Sequence, residues 1–430
     1  MPRGQLQAPR PRQGSGRRTR PLRAAGGTRL RPEPAGRGLR PRRLQQRGGV
    51  PGERRGRRGG VDAGRARVAR RGRRYGCLRG RTSAILRVVQ AGLGIWGQSW
   101  ADVVREAPNV ELAALADPAP KTREVAGTPV YESVEAALAE VACDAVLVAT
   151  PPGTHHAVAK ASLEAGRHVL VEKPLATDLA GAFDLIEVAE EAGRFLMVSQ
   201  NYRYNGPFRA LRRAVGEGGI GDLVSIKISC RRDTRTLFGT DDFRYSMRHP
   251  YVLDMSIHHF DLIRAATGRE VARVHARGRR VPDSPFAHHP AVSALLDLEG
   301  GVPVLYEGDW ATREPETSWN GDWEVVGEEG RLLWRGDRDD RGVGEVLLER
   351  WGEAPRALAT PEPEFTERAA TLQALRAAVE TGEVPETSAA DNVRSLAVTL
   401  GCVRSVEKSE TVDIEQMIVG ARREARPAGR

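Results

Sequence analysis

From residue 85 onward the chain alternates short apolar runs with segments whose apolar positions recur every three to four residues. Ile85 to Ala91 is interrupted only by Arg87 and Gln90, which predicts a strand, and Trp96 to Glu106 follows with helical spacing. Leu112 to Ala116 predicts a second strand, Tyr131 to Ala142 a helix, Ala145 to Ala149 a strand, Thr154 to Ala165 a helix and His168 to Val171 a strand. A helix over Thr177 to Ala192 and a strand over Phe195 to Ser199 complete the series. Strands that are apolar along their whole length, each followed by a helix, indicate a parallel sheet covered on both faces. An α/β domain is therefore expected over residues 84–202.

Beyond Asn205 the pattern changes. Pro207 to Val215 predicts a helix, Leu223 to Ile228 a strand and Val252 to Ala266 another helix. Val271 to Ala276, Val292 to Leu298, Val302 to Tyr306, Trp323 to Val326 and Gly330 to Trp334 predict strands, mostly joined by short turns such as Glu299-Gly-Gly301. These runs indicate an α+β domain with a largely antiparallel sheet over residues 203–415. Pro303 has no N–H for a ladder, so it starts its strand or lies at an edge. Phe365 to Glu380 and Ala389 to Val406 predict helices separated by Gly382 and Pro385, and residues 416–430 are expected to be a flexible tail.

Composition removes the first eighty residues from this picture. Met1 to Arg81 holds 26 arginines, no lysine and three acidic residues, a net charge of +23, so the +10 of the whole chain leaves −13 on the other 349 residues. Residues 1–83 cannot bury enough apolar surface to offset chain entropy and are expected to be disordered. Their charge suits an anionic partner, and no apolar stretch follows Arg17-Arg18 as a secretory signal requires. The favoured explanation is a start codon assigned too far upstream in GC-rich DNA, which makes nucleic-acid binding an unfavoured reading. No run approaches eighteen apolar residues, and Cys77, Cys143, Cys230 and Cys402 lack metal-ligand spacing. Cys143 and Cys402 are expected to be reduced and buried in a cytoplasmic protein without membrane contact.

The glycines between the first strand and helix carry the first chemistry. Gly92-Leu93-Gly94-Ile95-Trp96-Gly97 has the spacing of a phosphate-binding turn: one glycine for the turn, one for backbone approach to a pyrophosphate and one for close helix packing. Asp117, at the end of the second strand, is placed to accept hydrogen bonds from a ribose, which favours NAD over NADP. Thr150, Glu172 and Gln200 fall at the same sheet edge.

Three further segments bear on catalysis. Ala149-Thr-Pro-Pro-Gly-Thr-His155 and Val171-Glu-Lys-Pro174 end strands, so Lys173 lies in the crevice by topology, as a proton carrier or a surface lysine. Within Leu253 to Asp261, Asp254, His258 and Asp261 share one helical face, so Asp254 can orient His258 and stabilise its protonated form; a solvated polar face is the alternative. A metal would need a further ligand from His249, His155 or His288, and the spacing matches no known metal site. Tyr202, Arg203, Arg244, Tyr245, Arg248, His249 and Tyr251 are candidates for the pocket lining, suiting a polyol or, through the arginines, a carboxylated sugar. Trp310, Trp319 and Trp323 are taken as core or interface packing before pocket wall.

With these segments together the chain resembles the Gfo/Idh/MocA family of NAD(P)-dependent oxidoreductases over residues 84–415. The resemblance implies a catalytic lysine at Lys173 from the family's E-K-P segment, and an aspartate and histidine at Asp254 and His258 from its D-x-G-x-H-x-x-D helix. It implies a cofactor-cleft loop from Thr150 and Pro151 to His155. Ser256 stands at that motif's glycine, and His249-Pro-Tyr251 leads into it. The implied reaction is reversible hydride transfer between a CH–OH carbon of a sugar, inositol or other polyol and the nicotinamide, in a homodimer or homotetramer paired through the second sheet. Which of Lys173 and His258 is the immediate base stays open, and so does a dinucleotide-sensing protein without catalysis as the alternative.

Overall fold

Six parallel strands build the sheet expected for residues 84–202. In the computed structural model, which describes residues 85–119, 127–239, 242–336 and 344–425, the elements are β1 (Leu86–Ala91), α1 (Ile95–Glu106), β2 (Val110–Ala116), β3 (Val130–Tyr131), α2 (Val134–Glu140), β4 (Ala145–Val148), α3 (His155–Glu164), β5 (His168–Val171), α4 (Leu179–Ala192) and β6 (Leu196–Val198). The expectations for residues 1–83 and Cys77 fall outside the described residues. Strand order is β3-β2-β1-β4-β5-β6, so the chain leaves β1 toward β2 and later returns to its other side. That reversal opens a crevice at the carboxyl end of β1, where ligands of such sheets lie. Tyr131 pairs as a strand with Ala116 instead of starting a helix. Ser133 caps α2, its hydroxyl accepting from the Ala136 N–H.

Alternate strand residues bury opposite faces, and this accounts for where the helix expected at Phe365 to Glu380 packs. Val146, Val148, Val169 and Val171 pack with α2, α3 and α4, while Leu147, Leu170 and Met197 face the other way with Trp100 and Val104 of α1. One helix cannot cover that second face. The cover comes from Leu372, Leu375, Ala378 and Val379, which belong to a helix far along the chain.

The second domain holds α5 (Gly206–Gly216), β7 (Leu223–Arg231), α6 (Ile257–Thr267), β8 (Val271–Arg279), β9 (Ala291–Leu298), β10 (Pro303–Asp309), β11 (Asp322–Gly327), β12 (Gly330–Arg335), β13 (Glu345–Arg350) and β14 (Arg356–Ala357), followed by α7 (Glu367–Thr381), α8 (Ala389–Lys408), β15 (Val412–Asp413) and α9 (Ile414–Ala425). Its nine strands run β14-β13-β12-β11-β7-β10-β9-β8-β15. Their pairs are antiparallel except β7 with β10, and Pro303 opens its strand. The inner face, including Ile226, Ile228, Leu296, Val304 and Val325, packs with Phe260 and Ile263 of α6. The outer face leaves Leu295 and Leu305 about half exposed, at 48% and 49%.

Two boundary expectations are corrected. Residues 203–415 do not all belong to the second domain, because α7 completes the core of the first. Residues 416–425 are not a flexible tail but the body of α9, with Asp413 accepting from the Gln416 N–H and with Ile414 and Ile418 buried. Replacing Ile418 with Ala is expected to lower stability by about 2–5 kcal/mol, read as a lower midpoint in urea; an unchanged midpoint would return this segment to the status of a tail.

Candidate active site

The crevice begins at the glycine turn. Gly92 has φ +98°, and a β-carbon there would come within 2.5 Å of the Ala149 carbonyl; one on Gly97 would come within 2.2 Å of the Gly92 carbonyl. Gly94 differs: its φ is an ordinary −61°, and a β-carbon would meet nothing within 4 Å. The chain does not need glycine at 94, but a group approaching its backbone does. Gln90, the polar interruption in β1, donates from Nε2 to the carbonyls of Gly92 (3.0 Å) and Gly97 (2.6 Å), fixing the turn from below. Asp117 accepts from the Leu93 N–H at 2.7 Å and the Ala119 N–H at 2.8 Å, so its carboxylate is tied to the turn. Ile95 and Trp96 are exposed at the start of α1. This cradle and its carboxylate fit a dinucleotide, with the pyrophosphate on the α1 N-terminus.

The loops after β4 and β5 are joined by His155. Its Nδ1 lies 2.7 Å from the Pro174 carbonyl and its Nε2 2.8 Å from the Thr150 carbonyl, while burial lowers its affinity for a second proton. Pro151 opens the turn leading to α3, and the Lys173–Pro174 peptide is cis. Glu172 accepts from Trp100 Nε1 at 2.7 Å and from the Lys173 N–H at 3.1 Å. Gln200 is buried, and its carboxamide has no hydrogen-bond partner among the described residues.

Lys173 reaches across to the second domain. Its Nζ donates to the Asp254 carbonyl at 2.8 Å and to Asp254 Oδ1. Asp254 Oδ2 accepts from Arg244 Nε at 2.7 Å. Burial alone would raise the proton affinity of this carboxyl, but the two cations overcome it and hold Asp254 ionised well below the usual carboxylate range.

The expected common face of Asp254, His258 and Asp261 does not form. Val252–Ser256 is wound as a π-helical turn before α6 begins, which breaks the regular spacing. Asp254 serves Lys173 and Arg244. His258 stacks on Tyr202, with ring centroids 4.4 Å apart, and its buried Nδ1 has no partner among the described residues. Burial and the Lys173 charge push His258 well below the ordinary histidine range. The expectation that Asp254 stabilises a protonated His258 is therefore corrected: the carboxylate is spent on two cations, and the imidazole stays neutral. Asp261 turns into the core, accepting from Arg203 at 2.6 Å on both oxygens and from Ser395 at 2.7 Å. Arg203 also binds Asp391 of α8.

This places the remaining candidates. Arg203 is a core tether and not a pocket residue. Arg248 and His249 pair with Glu407, and Tyr245 packs on Phe238 and Phe286. Tyr251 is buried over Gly308, where a β-carbon would collide with its ring. Trp310 and Trp323 are core, and Trp319 is partly buried under Arg232. Ser256 is buried facing the sheet, with Oγ 2.9 Å from the Tyr306 hydroxyl. The change from glycine thus lies outside the crevice. His259 donates to the Trp319 carbonyl at 3.0 Å, leaving Nδ1 to accept from Tyr306 at 2.8 Å. The residues missed from sequence are Gln90, Trp100 and Asp242; only Gln90 carried a visible signal, as a polar residue within an apolar strand.

Two domain descriptions match the chain in order. The Gfo/Idh/MocA oxidoreductase family with an NAD-binding Rossmann fold matches residues 86–200, and the family's C-terminal domain matches residues 208–333. A 1,5-anhydro-D-fructose reductase from Ensifer adhaerens is 29% identical over 284 residues, covering 66% of this chain and 83% of that protein. A myo-inositol 2-dehydrogenase from Thermotoga maritima is 28% identical over 292 residues, covering 64% and 81%. An oxidoreductase from Agrobacterium radiobacter, solved with NAD+, L-tartaric acid and magnesium, shares the fold at TM-score 0.69 and 22% identity, over 78% of this chain and 100% of that one.

Two neutral buried imidazoles give a pH dependence. His258 lies well below its ordinary value and His259 is pushed down to about 4, in both cases first by burial. The unfolded chain therefore takes up protons below about pH 6.5 that the folded chain does not. Their contribution is fully present above that pH and is lost as pH falls toward 4. The melting temperature is expected to drop steadily from pH 6.5 to 4.5, with a shallower slope in His259→Gln; equal slopes would exclude His259 as a source.

Proposed function

Since this chain belongs to the Gfo/Idh/MocA oxidoreductase family, we propose that its CH–OH substrate is an uncharged sugar, inositol or related polyol and that its preferred cofactor is NAD. The observation carrying this reading is the bond from Lys173 Nζ to Asp254, which brings an ammonium from the end of β5 onto the turn that precedes His258. The nicotinamide, when bound, supplies the hydride acceptor or donor. The chain's own residues manage the proton. In the oxidising direction the hydroxyl proton passes to the neutral imidazole of His258, while the Lys173 ammonium beside it stabilises negative charge developing on the substrate oxygen, so the two act as a coupled pair. Asp254 holds the ammonium in place, and Tyr202 holds the imidazole ring.

Charge pairing supports an uncharged substrate. Arg203, Arg232, Arg244 and Arg248 are each within salt-bridge distance of a carboxylate, namely Asp261, Glu316, Asp254 and Glu407. A substrate carboxylate would have to displace one of them. Asp117, bound to the backbone of the glycine turn, supports NAD, because a 2′-phosphate would meet its negative charge. The half-exposed leucines of the outer sheet face support pairing of two copies through that face.

The test is absorbance of reduced nicotinamide with inositols, aldoses and sugar acids, given NAD or NADP. Uncharged polyols with NAD are expected to react fastest. Lys173→Met is expected to lower kcat by roughly 100-fold or more with NAD still bound; unchanged turnover would remove Lys173 from the reaction. Tight NAD binding without turnover of any compound would favour a sensor.

A further inference from the structure

Arg244 is held by two carboxylates and two aromatic rings. Its Nη1 donates to both oxygens of Asp242 at 3.1 Å, and its backbone N–H donates to Asp242 Oδ1 at 2.9 Å. The guanidinium carbon lies 4.8 Å from the ring centroid of Phe238 and 4.6 Å from that of Phe243, so the cation is flanked by two aromatic rings. From this seat Nε donates to Asp254 Oδ2 at 2.7 Å, opposite the oxygen that takes Lys173. We propose that Arg244 is a positioning residue that shares the Asp254 carboxylate with Lys173, and so sets how tightly the catalytic pair holds its proton.

The argument is one of charge. With Arg244 and Asp242 in place, Lys173, Asp254, Arg244 and Asp242 form a cluster of two cations and two anions. Without the guanidinium, the whole Asp254 charge falls on Lys173, and Asp242 adds a second uncompensated negative charge. Both changes tighten the hold on a proton. Among the described residues, the other titratable and charged groups facing this cluster are Glu172 and His155 from the cofactor domain, Tyr202 from the link between domains and His258 from α6. The flanking rings and the Asp242 fork fix the direction of Nε, a geometry that lysine cannot reproduce although it keeps the charge.

This inference rests on the proposed role of Lys173 and His258, and one of its tests needs no substrate. The chain has five lysines, so a protein carrying 13C at the lysine ε-carbon gives few signals, and Lys173→Met identifies that of Lys173. In Arg244→Gln the Lys173 signal is expected to titrate at a pH higher by roughly one unit or more, and the acidic limb of kcat/KM to move the same way. Arg244→Lys is expected to restore most of both shifts while leaving kcat reduced. Asp242→Asn, which loosens the seat but keeps the guanidinium, serves as the second variant if Arg244→Gln folds poorly; it is expected to lower kcat with little change in KM. Variants that melt earlier but keep the wild-type lysine titration and pH profile would overturn the proposal, leaving Arg244 a merely structural residue. A shifted titration in a protein that turns over no polyol would instead sustain this inference and sink the proposed function.

Discussion

The Asp254 carboxylate, buried between Lys173 and Arg244, is the interaction on which the rest of the site depends. A carboxylate taken out of water on its own would protonate, and it stays charged here because two cations reach it from different parts of the chain. One of them belongs to the parallel sheet and the other to the loop before α6. The ion pair therefore also sets the register between the cofactor domain and the second domain. Its geometry requires that both domains hold still at the junction.

That stillness has a separate source. Tyr202 and Arg203 are neighbours in the turn that links the domains: the first stacks on His258, and the second binds Asp261 one turn further along α6. Arg264 extends the network to Glu270 and Asp391. Breaking such a buried pair by removing one partner typically costs about 3–5 kcal/mol, far more than an exposed pair contributes. The network thus resists the small rotations of α6 that would carry His258 away from Lys173. On the far side, α7 closes over α1, where Arg368 lies above the rings of Trp96 and Trp100. Residues from well beyond the first domain thereby complete its core.

What could be read from sequence followed period and local chemistry. The strand runs from Leu86 to Val198 are apolar on both faces and punctuated by glycine, so the parallel sheet and the crevice edge were legible. Lys173 was legible as well, because a strand end has only one place to be. The face shared by Asp254, His258 and Asp261 was not: a π-helical turn has no compositional mark, and it redirected one carboxylate to the crevice and the other to the core. The helix at 414–425 left only a faint mark, because Ile414, Met417 and Ile418 keep helical spacing over little more than its first turn before Gly420 and a polar, arginine-rich end. The role of Arg244 could not be read either, since a cation ten residues from its carboxylate partner is joined to it only by the fold.

Double-mutant kinetics with Lys173→Met, Asp254→Asn and the combined variant go straight to the claim that these side chains act as one unit. If they do, the combined variant loses about as much kcat/KM as the worse single variant, because the second replacement removes an interaction already gone. Losses that multiply would mean that Lys173 and Asp254 contribute independently, and the account built on their contact would be wrong.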